Sequence, residues 1–340
     1  MQIARRTSLK AALGAALMPS FTHRALAQTP PPGQPAQPTQ SVQDWPTKPV
    51  RIVAPFPAGG TADIVGRLLV QHFSEQFKQS FLLENKAGAG GAIGSDFVAK
   101  AAPDGTTLVI SGIASHVIAP AVSKTPYHPL DSFTHIALLG GPPSVLAVHA
   151  DVPAKTVREF AAFAQADAKG VSWGSSGNGT HAHLVGELLR EAMRLNMVHV
   201  AYKGGAPAMA DLIGKQIPAT VTALSSALPH LRSGRIRALA TTARARVAEL
   251  PDVPTFAEAG YPQLTATTWF SLSGPAGMPA AMVAQINLET RRALRTPKFR
   301  ERLAAEGIEP GDLDAAAFTQ YVRSEIARWT PLAKAAQTPP

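Results

Sequence analysis

Three short stretches bring backbone N–H groups, hydroxyls and imidazoles together where a strand gives way to a helix. They are "FPAGGTAD" at 56–63, "GSSGNGTHAH" at 174–183 and "YKGGAP" at 202–207. The first turn of a helix leaves N–H groups unpaired, and its dipole favours negative charge there. Glycines let a ligand approach the backbone closely. The chemistry that suits this pattern is anion binding. Thr61 and Thr180 act either as helix caps or as ligand donors. Asp63, in a first helical turn, either stabilises its own helix through the dipole or faces the ligand.

Other chemistries fit less well. The first stretch lacks the Gly-Lys-Ser/Thr ending of a P-loop, which argues against a nucleoside triphosphate. "ENKAGAGGAIG" at 84–94 follows a strand, but Ile93 stands where a dinucleotide fingerprint needs its last glycine, so it reads as a structural loop. His181 and His183 are two residues apart and cannot share a helix face, so they make a poor metal pair. One of them is expected to line a cleft and the other to serve a structural role. Ser175 or Ser176 with a histidine suggests a hydrolase, but "GSSGNG" is not a nucleophile elbow and no orienting carboxylate is identifiable. The chain has no cysteine, which removes disulfides, thiolate metal sites and cysteine nucleophiles. No catalytic residue, metal or cofactor is expected.

The elements that must position these stretches alternate. "VRIVAPF" is a short buried strand, and Ile64, Val65, Leu68, Leu69, Phe73 and Phe77 then recur at helical spacing. "SFLLEN", "TTLVISG", "HIALLGG" and "VLAVHA" read as further strands, and Thr156 with Glu159 opens a helix. Past residue 170 the cycle repeats through "VSWGSSG", "VHVAY", "IPATVTA" and "IRALATTA", and the chain ends in helices at 279–295, 297–306 and 315–334. Repeated βαβ units predict an α/β fold of two lobes, each a mostly parallel sheet flanked by helices, with a cleft between them.

The 340 residues are 45% hydrophobic, enough for a sizeable core, and carry a net charge of +9. Four of the positive charges, Arg5, Arg6, Lys10 and Arg24, lie in residues 1–27 with no acidic partner. That segment has the basic start, short apolar run and Ala25-Leu26-Ala27 ending of an export signal cleaved after Ala27. Arg5-Arg6 also fits a twin-arginine signal, and the two export routes stay open. The remaining basic residues are scattered, without the clustered stripe or aromatic platform of a nucleic-acid site. Residues 28–44, rich in Pro and Gln, read as an extended tether, with the folded part beginning near Trp45.

The ordered motifs "WPTKPVRIVAPFPAGGTADIVGRLL", "ENKAGAGGAIG", "AAPDGTTL", "YHPLDSF", "GSSGNGTHAHLVGELL", "VAYKGGAPAMADLIGKQI" and "LPDVPTFAEAGYP" resemble the Bug family. These are the extracytoplasmic solute receptors of tripartite tricarboxylate transporters, and the likeness spans nearly the whole chain from Trp45. It implies a type II periplasmic-binding-protein fold, with lobe 1 formed by 46–147 and 270–340 and lobe 2 by 148–269. The return of the C-terminal part to the first lobe is implied by the resemblance alone. So is the ligand, a small organic carboxylate in the interlobe cleft, passed by a periplasmic monomer to membrane permease subunits. The residues carried over are Phe56, Ala58, Gly60, Thr61 and Asp63, facing Ser175, Thr180, His183, Tyr202 and Gly205. Thr222 and Ser225 are weaker candidates. Presentation to a membrane sensor kinase is the alternative within the same fold, and a secreted hydrolase the alternative outside it. Two stretches depart from the family pattern. "SGIASHVIAP" brings His116 to the expected pocket floor, and "ATVTALSS" lacks an aspartate that would hold a substrate ammonium.

Overall fold

The structure is a computed structural model that describes residues 45–336, apart from Lys203 and Glu306. The export signal expected at 1–27 and the tether expected at 28–44 lie outside the described residues, as does Lys203 of the third loop. The chain begins with β1 (Val50–Ala54), α1 (Thr61–Phe77), β2 (Phe81–Asn85), α2 (Ala92–Ala99) and β3 (Thr107–Gly112). A π-helical turn (Ala114–Ile118) and α3 (Ala119–Val122) lead to β4 (Phe133–Gly141). The next stretch comprises β5 (Ser144–His149), α4 (Val157–Ala166), β6 (Val171–Ser175), α5 (His181–Ala192), β7 (Met197–Ala201) and α6 (Gly205–Ile213). It continues through β8 (Ala219–Ala223), α7 (Leu224–Arg232) and β9 (Ile236–Thr241). After β10 (Phe270–Pro275) come α8 (Ala280–Arg295), α9 (Pro297–Ala305), β11 (Glu309–Pro310) and α10 (Ala315–Ala335).

Two sheets result, ordered β11-β4-β10-β3-β1-β2 and β7-β6-β8-β5-β9. The ladders are mixed rather than mostly parallel. β1 pairs with β2 and β3 in parallel, whereas β10 is antiparallel to both β3 and β4. In the second sheet β6 is parallel to β7 and β8, whereas β5 is antiparallel to β8 and β9. The cause is the chain path. Each sheet takes in a strand that has just crossed from the other, and this strand runs against its neighbours. The first crossing is at Pro142–Pro143, because all of β5 from Ser144 pairs within the second sheet.

Local rules explain the elements. β1 and β3 are buried along almost their whole length, as strands covered on both faces must be, and accordingly read as apolar runs. In α1, Val65, Leu69 and Phe73 recur every fourth residue on the buried face. The side chain of Thr156 accepts a hydrogen bond from Glu159 N at 3.1 Å and caps α4. Gly186 on α5 leaves room for the fully buried Trp173, whose ring would overlap any Cβ there.

The two crossings lie side by side. Pro143 bridges to Thr267, and Thr268 N donates to Pro142 O at 3.0 Å. Thr242 Oγ1 accepts from Ser144 N at 2.8 Å and donates to Ala266 O. The C-terminal helix α10 seals this junction. Glu325 Oε2 accepts the indole N–H of Trp269 at 2.9 Å and of Trp329 at 3.0 Å, and Phe318, Val322 and Trp329 enter the same core as the second sheet's Trp173 and Val221. Burial pushes the Glu325 carboxyl above its ordinary pKa, against the opposing pull of the indole N–H groups and Arg328.

Gly141 fits where the crossings touch, since a Cβ there would run into the backbone carbonyl of Thr268. Gly141→Ala is therefore expected to destabilise the protein by about 1–3 kcal/mol, as overpacking against main chain does. Urea unfolding checks this through a lower midpoint at unchanged slope.

Candidate ligand-binding cleft

A cavity of about 1050 Å³ lies between the two sheets. β6, β7 and β8 run parallel, so their C-terminal ends share one edge, and the helices that follow them all begin there. The cap and first turn of α5 contribute Thr180, His181 and Ala182 to the cavity, α6 contributes Gly205, the end of β8 contributes Thr222 and Ala223, and the first turn of α7 contributes Ser226. Three helix N-termini thus converge on one space. Each end carries unpaired N–H groups and roughly half a positive charge. Among the described residues, the lining includes no Asp, Glu, Lys or Arg. On the second sheet's side the helix termini therefore attract an anion in their own right. The facing wall is different: Phe56, Ile113, Ile118 and Val122 present hydrocarbon, with Ala89 and Gly90 beside them.

Of the residues picked from sequence, Phe56, Thr180, Gly205 and Thr222 line this cavity. Thr180 is also a cap: Oγ1 accepts from His183 N at 3.3 Å and donates to Gly177 O at 2.7 Å. The others are not among the lining residues. Gly60 is the residue before α1 and Thr61 the first inside it, with no side-chain capping bond at that end. Asp63 braces the Ala58–Gly60 loop, accepting from Gly59 N at 3.0 Å and from Arg67 Nε and Nη2 at 2.9 and 3.0 Å. The Arg67 hydrogen bonds, with help from Gly59 N–H, hold its carboxyl below the usual range against burial. Tyr202 donates its hydroxyl to Asp211 at 2.7 Å. Ser225 is outside the lining and Ser226 within it, since one residue of helix turns a side chain by about 100°.

The lining takes His181 and not His183, the one that the resemblance implied. His181 lines the cavity, with Nδ1 2.8 Å from Thr268 Oγ1 and its ring edge-on to Trp329 at 5.2 Å. His183 stabilises the loop instead: Gly179 N donates to its Nδ1 at 3.0 Å, and its ring stacks on His199 at 4.0 Å. Ser175 is fully buried, 2.7 Å from His199 Nε2. Burial, reinforced by His183, pushes His199 down to about 4, which leaves it a weak base beside that serine. His116 does not form the pocket floor. It is completely buried behind the lining, 4.3 Å from the Phe133 ring and 5.6 Å from that of His135.

Sequence reasoning passed over Ser144, Ser226, Thr268 and the Ala89–Gly90 turn as lining residues, and left open whether His181 or His183 faces the cleft. Only the turn carries a local signal, its glycines, since Ala89, Gly90 and Gly91 all take positive φ. Ser144 and Thr268 sit at the crossings, where no short-range pattern announces them.

Comparison with known proteins gives a consistent result. The model of the family described as "Tripartite tricarboxylate transporter family receptor" matches residues 65–337. Protein BugT of Bordetella pertussis is 33% identical over 294 residues, covering 85% of this chain and 89% of its own. A solved R. palustris protein with adipate superposes with a TM-score of 0.73 at 33% identity, over 86% of this chain and 98% of the other. The periplasmic binding protein BugD gives 0.69 at 33% identity, over 86% and 98%. The two sheets and the cleft between them are therefore the two-lobed fold of periplasmic binding proteins.

Asp63→Asn removes the acceptor that ties the first loop to α1. A native pKa below the unfolded value of about 3.9 gives stability that is present above that pH and lost as pH falls through the native value. The variant should melt below the wild type at pH 7, and the gap should narrow as the pH falls below the ordinary carboxylate range, as read from melting curves across pH.

Proposed function

The chain belongs to the tripartite tricarboxylate transporter receptor family, and from that premise we propose that it is a periplasmic receptor for a small organic carboxylate. The observation that carries this reading is the convergence of three helix N-termini on a cavity whose described lining has no Asp, Glu, Lys or Arg. A carboxylate seated there would accept from the backbone at Ala182 and Gly205 and from the hydroxyls of Thr180, Thr222 and Ser226, with Phe56 facing it. The adipate-bound relative supports the ligand class. Residues 1–27 would export the chain, with cleavage after Ala27, and the loaded form would dock on the membrane permease. One chain supplies both walls, so the receptor acts as a monomer. Binding without turnover fits the placement of Ser175 and His199, which are behind the wall rather than in the cleft.

Mechanistically, a ligand that touches both lobes favours the arrangement in which they approach, in proportion to its extra affinity for it. The paired crossings at Pro142–Pro143 and Thr267–Thr268 are the segments that would absorb the rotation.

A thermal-shift screen of mono-, di- and tricarboxylates tests the reading. A ligand present at 100 times its Kd stabilises by about 2.7 kcal/mol, which displaces the melting curve measurably. A flat response across every carboxylate would exclude the ligand class. Gly205→Asp sharpens the test, because a Cβ there meets only ordinary contacts, the nearest being Thr222 Oγ1 at 3.7 Å. The new carboxylate should leave the empty protein as stable as before, or more so through the α6 dipole, while titration shows ligand affinity falling at least about tenfold through charge repulsion.

A further inference from the structure

Four residues of the 176–180 loop, Ser176, Asn178, Gly179 and Thr180, line the cavity, and two histidines hold that loop in place. Gly179 N donates to His183 Nδ1 at 3.0 Å. Ser175 Oγ accepts from Gly177 N at 3.2 Å and lies 2.7 Å from His199 Nε2. The two imidazoles stack, with centroids 4.0 Å apart and planes within 16°. Trp173 sits beside both, 6.2 Å from His183 and 4.5 Å from His199. Neither histidine is among the lining residues.

The bond from Gly179 fixes a tautomer. A ring nitrogen that accepts a hydrogen bond carries no proton, so neutral His183 bears its proton on Nε2. A second proton has only Nδ1 to go to. There it meets the Gly179 N–H, and two donors face each other where a hydrogen bond had been. His199 gives no relief, because two charged rings at this spacing repel.

Among the described residues, few charged groups bear on the pair. On α5, Glu187 Oε1 is 3.9 Å from His183 Nε2, and Arg190 Nε donates to Glu187 Oε2 at 2.9 Å. β6 presents Trp173 and Ser175, which do not titrate in this range, and β7 presents His199. Burial lowers the pKa of His183 against the pull of Glu187, and burial followed by His183 lowers that of His199 to about 4. A native value below the unfolded one of about 6.5 means that the Gly179 bond is intact at neutral pH and is lost as pH falls through the native value. A charged ring would also draw an anion, but Glu187 beside it offsets that charge, whereas a displaced loop takes four lining residues with it.

Taking the cavity as a carboxylate site, we infer that His183 is a positioning residue whose neutral ring holds the 176–180 loop in its gripping form and whose protonation releases the ligand. The receptor loads at neutral pH and lets go in acid.

Two measurements on the chain beginning at Gln28 test this. In two-dimensional NMR without ligand, the Gly179 amide and the His183 ring should titrate together, with a midpoint below about 6.5. Isothermal titration with adipate and malate, from about pH 7.5 to about pH 4.5, compares the wild type with His183→Asn, whose side-chain oxygen can accept from Gly179 N at every pH. Acid also protonates the ligand, but equally for both proteins, so the ratio of their affinities reports the histidine alone. Wild-type affinity should fall at least about threefold further than that of the variant, within the limit of about tenfold per pH unit that one proton allows. A Gly179 amide that stays unmoved while the ring titrates, or a constant ratio of affinities, would overturn the inference and leave the receptor reading intact. If neither acid binds at any pH and no other carboxylate shifts the melting curve, while the amide follows the ring, the carboxylate reading falls and the hold of His183 on the loop stands. Should His183→Asn fail to fold, the wild-type amide titration decides.

Discussion

Everything in this molecule hangs on two pieces of backbone that must pass side by side between the sheets. Pro142–Pro143 carries the chain out of the first sheet, and Thr267–Thr268 carries it back. Their contact is close enough to require Gly141 on one side, and its hydrogen bonds extend to Ser144, Thr242 and Ala266. The same crossing forces one reversed strand into each sheet. It also brings Ser144 and Thr268 to the cavity, and Thr268 in turn holds His181. α10 covers the junction through a single carboxylate shared by Trp269 and Trp329. A junction tied by so few bonds fixes the two lobes in register and still leaves short segments in which rotation can occur.

The electrostatics of the cleft follow from topology rather than from charged residues. Parallel strands β6, β7 and β8 end on one edge, so the helices after them point their N-termini at one place. Among the described residues the lining has no Asp, Glu, Lys or Arg, and Asp63 of the first loop is spent on structure with Arg67.

Much of this was legible in the sequence, and the failures have physical causes. Strands and helices could be placed because burial on both faces gives apolar runs and burial on one gives a helical period. The glycine-rich loops could be found because only small residues tolerate such close approach. The sequence could not show which of two histidines faces inward, because the choice depends on how α5 sits against Trp329, more than a hundred residues away. The Ser225–Ser226 choice turned on where α7 begins, a matter of one residue. His116 looked like pocket floor from its place after β3, but Phe133 and His135 of the later strand β4 enclose it. The crossings were invisible because nothing local marks a strand that is about to change sheets.

The division of the cavity into a wall of main chain and a wall of side chains bears on how such a receptor can change over generations. N–H groups at a helix terminus survive almost any point mutation, so the capacity to grip an acid is hard to lose by drift. Phe56, Ile113, Ile118 and Val122 enjoy no such protection, and each codon change there reshapes the room beside the grip. A lineage built on this scaffold can thus exchange one cargo for another in small steps without passing through a form that holds none.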